Sequence, residues 1–194
     1  MKGEEKMANT TKNEIIALLK DIKREGMENL IDFLDRTDFY TAPASTKFHN
    51  AFEGGLAEHS LNVYKALKQL TGDKWSEDTL RIVGILHDLC KINLYKVEMR
   101  NKKNPDTGVW FQEPYYTSED MMPLGHGEKS VMLISEFIKL TKEELYAIRW
   151  HMGGFEPKEN YGYVSKAYEK YELAVYAHMA DIMATYILEN RDEK

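Results

Sequence analysis

The sequence has one cysteine, no long hydrophobic run and no excess of positive charge, and each of these absences excludes a class of protein. A single cysteine, Cys90, rules out an internal disulfide framework and a zinc site built from several thiolates. The apolar runs span only a few residues, whereas a membrane-spanning helix needs about 20. The N-terminal stretch MKGEEKMANTTKNE has no apolar signal core. We therefore predict a reduced, cytoplasmic protein that does not cross a membrane.

The charge balance is acidic, with 26 lysines and arginines against 32 aspartates and glutamates and a formal net charge of −6. This argues against a protein that coats nucleic acid through its bulk charge. Hydrophobic residues make up 43% of the 194 residues, which is enough for one core. We predict a flexible tail over residues 1–10 and a single domain over 11–194. The sequence leaves the oligomeric state open.

Apolar residues recur with helical spacing through most of the chain. Thr11 with Glu14 matches a capping box and predicts a helix start. Ser76 is a candidate cap for a mostly apolar helix that we expect to run to about Lys91. A last helix is predicted over about 166–190. Helix therefore dominates, and the predicted fold class is all-α.

One segment, about 93–123, departs from the helical pattern. Tyr95 to Arg100 alternates polar and apolar residues like a strand, and Asn104 to Gly108 is a turn signal. Strand-like residues follow from Val109. We therefore predict one small β-hairpin inserted into a helical bundle.

Several histidines and aspartates lie within predicted helices or at their ends, and an unpartnered polar group in an apolar segment is costly. His87 and Asp88, for example, directly follow an apolar run. Burying that carboxylate costs several kcal/mol unless it is paired, hydrogen-bonded or bound to a metal. A structural explanation is reasonable for each such residue alone, but less so for all of them together. The residues are His59, His87, Asp88, His126, His151 and Asp181.

The order of these residues resembles the HD superfamily of metal-dependent phosphohydrolases. The stretch GGLAEHS at 54–60 is similar to the family's first-histidine motif, and HDLCK at 87–91 is similar to its HDxxK motif. The resemblance covers roughly residues 45–190 and implies an HD-domain helical bundle. It also implies a set of ligands for one metal ion, namely His59, His87, Asp88 and Asp181.

Two further histidines, His126 and His151, lie between the HD pair and the last aspartate. HD subfamilies that hold two metals place histidines there, so the resemblance implies a dinuclear site in which Asp88 bridges the ions. The motif that names the HD-GYP phosphodiesterases is absent, because YGY at 161–163 does not match it. Imidazole and carboxylate ligands suit divalent Mn, Fe, Co, Ni or Zn and do not choose among them.

The predicted catalytic residues are Asp88 and Lys91. Water on such a metal loses a proton near neutral pH and becomes a nucleophile. Lys91 lies one helical turn beyond His87, so it is predicted to face the same side and hold a substrate phosphate; a solvated helix end is the alternative. Arg149 and Lys129 are further candidates for substrate binding. The expected substrate is a nucleotide or another small phosphoester.

Alternatives remain open from the sequence alone. One is a mononuclear nucleotidase in which His126 and His151 bind only substrate. Another is a nucleotide sensor on an HD scaffold without turnover, and a third is an HD-type diiron oxygenase. His178 is either an outer partner of the Asp181 region or a core histidine. His49, in a loop, is assigned no metal.

Overall fold

A computed structural model of the chain describes the backbone of residues 2–189 and the side chains of residues 9–189. This part of the chain forms eight α-helices and one two-stranded sheet. The elements are α1 (Lys2–Lys20), α2 (Met27–Arg36), α3 (Gly55–Thr71), α4 (Glu77–Leu86), β1 (Tyr95–Lys103), β2 (Trp110–Ser118), α5 (His126–Ser135), α6 (Lys142–Trp150), α7 (Tyr161–Lys170) and α8 (Glu172–Met183). The all-α fold class with a small hairpin is confirmed.

Helix α3 lies at the centre of the bundle and packs against α1, α4 and α8. Its residues Leu56, Val63 and Leu67 are buried in the main hydrophobic core. The approach of α4 is unusually close, because a Cβ atom on Gly84 would lie 2.4 Å from the Cα atom of Tyr64. The glycine therefore allows α4, which ends just before the HD pair, to approach the middle of α3.

The hairpin is an antiparallel pair that runs in register from Tyr95 opposite Ser118 to Lys103 opposite Trp110. The turn closes through the Asn104 N–H, which donates to the Val109 carbonyl at 2.9 Å. Gly108 has a φ of +71°, which favours glycine. The structure thus confirms the hairpin inside the segment 93–123.

Two predicted helix boundaries are wrong. Helix α1 begins at Lys2, so it runs through the predicted start at Thr11 and through most of the segment predicted as a tail, 1–10. Thr11 does not act as a cap because the helical backbone continues on both sides of it. Helix α4 ends at Leu86 rather than near Lys91, and a 3-10 turn covers Leu89–Lys91. The division of the chain into a tail and one domain stays a prediction.

The predicted last helix is two helices. Helix α7 stops at Lys170, and Tyr171 has φ −130° and ψ +88°, outside the helical region. The Tyr171 ring stacks on Tyr146 of α6, with ring centroids 4.1 Å apart. This tertiary contact lies at the break, and the end of the predicted helix, residue 190, lies outside the described residues. None of the described helices has both the length and the apolar character that a membrane crossing requires.

Candidate metal centre

The structure brings together the six residues predicted as metal ligands, although they come from five different parts of the bundle. His59 lies in α3, and Asp181 lies in α8. His87 and Asp88 follow the end of α4, His126 begins α5, and His151 follows the end of α6. Helix ends and two helix interiors thus converge on one cluster.

The Asp88 carboxylate lies at the middle of this cluster and is 3% exposed. Its Oδ2 atom is 3.6 Å from the Nε2 atoms of both His59 and His87. Its Oδ1 atom accepts a hydrogen bond from His126 Nε2 at 2.7 Å and lies 3.4 Å from His151 Nε2. The two oxygens therefore face different pairs of histidines. This position depends on the end of α4, because Asp88 has φ −101° and ψ +21° and leaves the helix.

Asp181 completes the cluster on the side of α8, with its Oδ1 atom 3.3 Å from His59 Nε2. Within the described residues, the cluster contains three groups whose donor atoms all lie within 4.8 Å of one another, a spacing that fits a metal ion. These groups are His59 with His87 and Asp88, His87 with His151 and Asp181, and Asp88 with His126 and His151.

Three buried imidazoles show that a cation fits this cluster. The Nδ1 atoms of His87 and His151 each lie within 2.9 Å of the backbone carbonyl three residues earlier, and His59 Nδ1 lies 2.7 Å from the Glu189 carboxylate. Carbonyl and carboxylate oxygens accept hydrogen bonds, so each Nδ1 carries the proton. The three Nε2 atoms are buried without a hydrogen-bond partner in the described part of the chain. In the neutral ring, Nε2 has a lone pair available for a metal.

The surroundings shift the pKa values of His87 and His59 in opposite directions. Burial lowers the pKa of His87 to about 3, so its ring is neutral at physiological pH. Burial alone would also lower the pKa of His59, but the nearby Asp181 and Glu189 carboxylates outweigh it and raise that pKa to about 9. A metal ion therefore competes with a proton at His59 but not at His87.

The carboxylates of the cluster are held in their charged form. Burial alone would raise the pKa of Asp88, but the adjacent Lys91 ammonium and the histidines keep it well below its usual range. The nearby His59 similarly outweighs burial and lowers the pKa of Asp181. Both groups are therefore available as anionic ligands at neutral pH.

The metal affinity of the protein should rise with pH. Because His59 has a pKa of about 9 in the metal-free protein, binding releases its proton, and the apparent affinity should increase about tenfold per pH unit between pH 6.5 and 8.5. His87 is already neutral in this range and adds nothing to the slope. Burial alone would lower the pKa of His151, but the Asp88 carboxylate raises it, so any proton released from His151 makes the slope steeper. Competition between the protein and a chromophoric chelator for Zn²⁺ or Co²⁺ measures the effect. A flat profile would contradict the assignment of His59 as a ligand.

Lys91 lies directly beside the cluster, and its Nζ donates to Asp88 Oδ2 at 2.7 Å. It reaches this position from the 3-10 turn Leu89–Lys91 rather than from the helix face that the sequence predicted. Burial alone would lower its pKa, but the Asp88 carboxylate raises it. The ammonium therefore stays charged next to the cluster.

The other two basic candidates are held by acidic partners outside the cluster. Lys129 is 6% exposed and donates to Asp120 Oδ1 at 2.7 Å. Arg149 donates to Glu156 at 2.9 Å and also pairs with Glu128. Both cations are already compensated, so their role in substrate binding stays a prediction.

Three residues that the sequence left unassigned lie next to the cluster. His178 lies with its Nδ1 2.7 Å from the backbone carbonyl of His151, so it supports a proposed ligand through the main chain. The His49 ring lies 4.9 Å from the His59 ring. Sequence reasoning missed Glu189 altogether, because no local pattern links it to His59 across 130 positions.

Comparison with known proteins gives one result. A family model described as HD domain matches residues 56–186, more than half of the chain. No curated protein and no solved structure matches the chain. The matched span contains all six residues of the cluster. The chain therefore belongs to the HD domain family, whose members are in general metal-dependent hydrolases.

Proposed function

We propose that this protein is a metal-dependent phosphohydrolase that cleaves a phosphomonoester or phosphodiester of a nucleotide or a similarly small substrate. The position of Asp88 carries the proposal. Its Oδ2 atom faces His59 and His87, and its Oδ1 atom faces His126 and His151. A carboxylate between two pairs of imidazoles has the arrangement of a bridging ligand for two divalent ions.

Each ion would have its own set of protein ligands. The first set would consist of His59, His87 and one oxygen of Asp88, whose donor atoms lie within 4.8 Å of one another. Asp181 would complete it, because its Oδ1 atom lies 3.3 Å from His59 Nε2. The second consists of His126, His151 and the other oxygen of Asp88. These nitrogen and oxygen donors suit Mn, Fe, Co, Ni or Zn. Ions bound there would supply a hydroxide nucleophile near neutral pH and neutralise phosphoryl oxygens.

The exposure of the side chains supports an approach of the substrate from one side of the cluster. His59, His87 and His151 are at most 1% exposed and close the interior of the cluster. His126, in contrast, is 31% exposed, and Asp181 and Lys91 also reach the surface, at 19% and 12%. The Lys91 ammonium therefore lies on the accessible side, where it can donate to a phosphoryl oxygen while it orients Asp88.

A screen of metal-reconstituted protein tests the proposed function. Nucleoside monophosphates, nucleoside triphosphates, dinucleotides and small generic phosphoesters should be compared with and without added Mn²⁺, Fe²⁺, Co²⁺ or Zn²⁺. We expect metal-dependent release of phosphate or of a nucleotide. Nucleotide binding without turnover would favour the sensor, and consumption of oxygen by an iron-loaded protein would favour the oxygenase.

Lys91→Met should lower kcat/KM by about 10²-fold on the best substrate, because it removes a charged donor at the developing phosphoryl charge. The side chain stays similar in length, so packing changes little. Metal content, measured by elemental analysis, should stay close to that of the wild type. Lys65→Met, which removes a lysine paired with Glu14 at the surface, is the matched control. A variant with full activity would exclude Lys91 from substrate binding.

The hairpin is proposed to select substrates, and its tip is the part to change. Trp110 is 66% exposed, so the end of the hairpin does not pack on the helices, and Lys102 is paired with Glu113. Replacing residues 102–108 by a short turn should change KM for a nucleotide by about 3- to 10-fold, because it removes Lys102 and Lys103 as phosphate contacts and shifts the adjoining Trp110 ring. Activity on a minimal phosphodiester should stay intact. Unchanged kinetics on every substrate would instead make the hairpin a structural element or an oligomer contact.

A further inference from the structure

Glu189 is a buried carboxylate outside the predicted ligand set. It follows a π-helical turn, Ala184–Leu188, and its backbone N–H donates to the Ala184 carbonyl at 3.0 Å. The side chain is 1% exposed. A buried carboxylate costs several kcal/mol unless another group compensates it. The turn must therefore bring Glu189 to a partner.

That partner is His59. The Glu189 Oε1 atom lies 2.7 Å from His59 Nδ1, whereas its Oε2 atom is buried without a hydrogen-bond partner in the described part of the chain. The distance is that of a hydrogen bond to a charged acceptor. Compensation of this carboxylate thus comes from the ring of a proposed metal ligand.

Two interpretations of this contact are available. Donor atoms of His49, His59 and Glu189 lie within 4.8 Å of one another, a spacing that would also fit a cation. However, His59 Nε2 already faces Asp181 at 3.3 Å inside the main cluster. A neutral imidazole that offers Nε2 to a metal carries its proton on Nδ1, so Nδ1 donates and cannot hold a second ion. The hydrogen bond is the interpretation that agrees with the main cluster.

We infer that Glu189 is a positioning residue of the metal centre, whose carboxylate fixes the orientation and tautomer of His59. The inference rests on the proposed metal site. An accepting carboxylate also makes the opposite nitrogen a stronger electron donor. The π-helical turn contributes by directing residue 189 towards α3, and such turns are often found at functional sites. The segment that follows α8 therefore takes part in the centre without supplying a ligand.

Two substitutions separate the hydrogen bond from the charge. Glu189→Gln keeps an oxygen that accepts from Nδ1 but loses the negative charge, and Glu189→Ala loses both. Removing an outer partner of a ligating histidine typically lowers metal affinity by about 10- to 100-fold. Glu58→Gln is the matched control, because Glu58 is half-buried, precedes His59 in α3 and lies close enough to Glu189 to feel its charge. We expect Glu189→Ala to bind metal most weakly, Glu189→Gln to be intermediate, and Glu58→Gln to resemble the wild type.

The experiment measures Zn²⁺ affinity by competition with a chelator, together with long-range ¹H–¹⁵N spectra of zinc-loaded protein with labelled histidine. In the wild type, His59 should show a metal-bound Nε2 and a slowly exchanging proton on Nδ1. That proton should exchange faster in Glu189→Ala. Urea unfolding of the metal-free proteins checks the fold, and Glu189→Gln decides the matter if the alanine variant does not fold.

The outcomes distinguish this inference from the proposed function. A wild-type protein that binds no metal would overturn the metal centre and the positioning role with it. A wild type that binds Zn²⁺ with the same affinity and the same His59 proton exchange as the folded Glu189 variants would overturn the positioning role alone.

Discussion

Asp88→Asn should abolish nearly all hydrolysis and most metal binding. The substitution keeps the shape of the side chain but removes the negative charge from a residue whose two oxygens face four imidazoles. Neither proposed ion would keep its shared anionic ligand. We expect kcat/KM to fall by about 10³-fold or more, since both charge neutralisation and nucleophile formation depend on the ions. Elemental analysis after gel filtration should find well under one ion per chain.

The matched control is Asp35→Asn, which changes an aspartate that pairs with Lys12 at the surface, far along the chain from the HD pair. It should keep the metal content and activity of the wild type. Urea unfolding of the metal-free proteins separates loss of the site from loss of the fold. An Asp88→Asn variant with wild-type metal content would contradict the bridging role, and one with wild-type turnover would contradict the proposed function.

The cluster could be predicted from the sequence because its residues include polar groups that are energetically costly to bury without a partner. An aspartate next to a histidine after an apolar run needs a partner wherever the chain folds, and the structure places Asp88 among four histidines. The hairpin was equally local, since Asn104 and Gly108 mark its turn within alternating strands. The family and the fold class follow from such local signals and are confirmed. The roles of the individual residues stay predictions.

The parts that sequence reasoning missed are set by tertiary contacts. No glycine or proline marks the break between α7 and α8, where Tyr171 stacks on Tyr146. The end of α4 likewise follows an apolar run that would suit a longer helix, yet the backbone leaves the helix at Asp88. Glu189 meets His59 from the far end of the chain. Hydrophobic periodicity predicts which face of a helix is apolar, but it does not predict which distant residue contacts that face.

The double substitution His126→Ala with His151→Ala should reduce the metal content from two ions per chain to about one. Both histidines face the Oδ1 side of Asp88, at 2.7 and 3.4 Å, whereas the first proposed set is built on the Oδ2 side. His59, His87 and Asp181 should therefore keep their ion. Turnover should fall by about 10²- to 10³-fold, because the charge stabilisation that a second ion would supply is lost with its protein ligands.

The single variant His126→Ala and a control at His49 make this result interpretable. His126 is 31% exposed, so its removal disturbs packing little, whereas His151 is fully buried and leaves a cavity. His49 lies beside His59 and is predicted to hold no ion. The His49→Ala variant should therefore keep two ions per chain. If the double variant also keeps two ions, His126 and His151 are not ligands. A wild type that saturates at one ion would instead favour the mononuclear enzyme, in which this pair binds only the substrate.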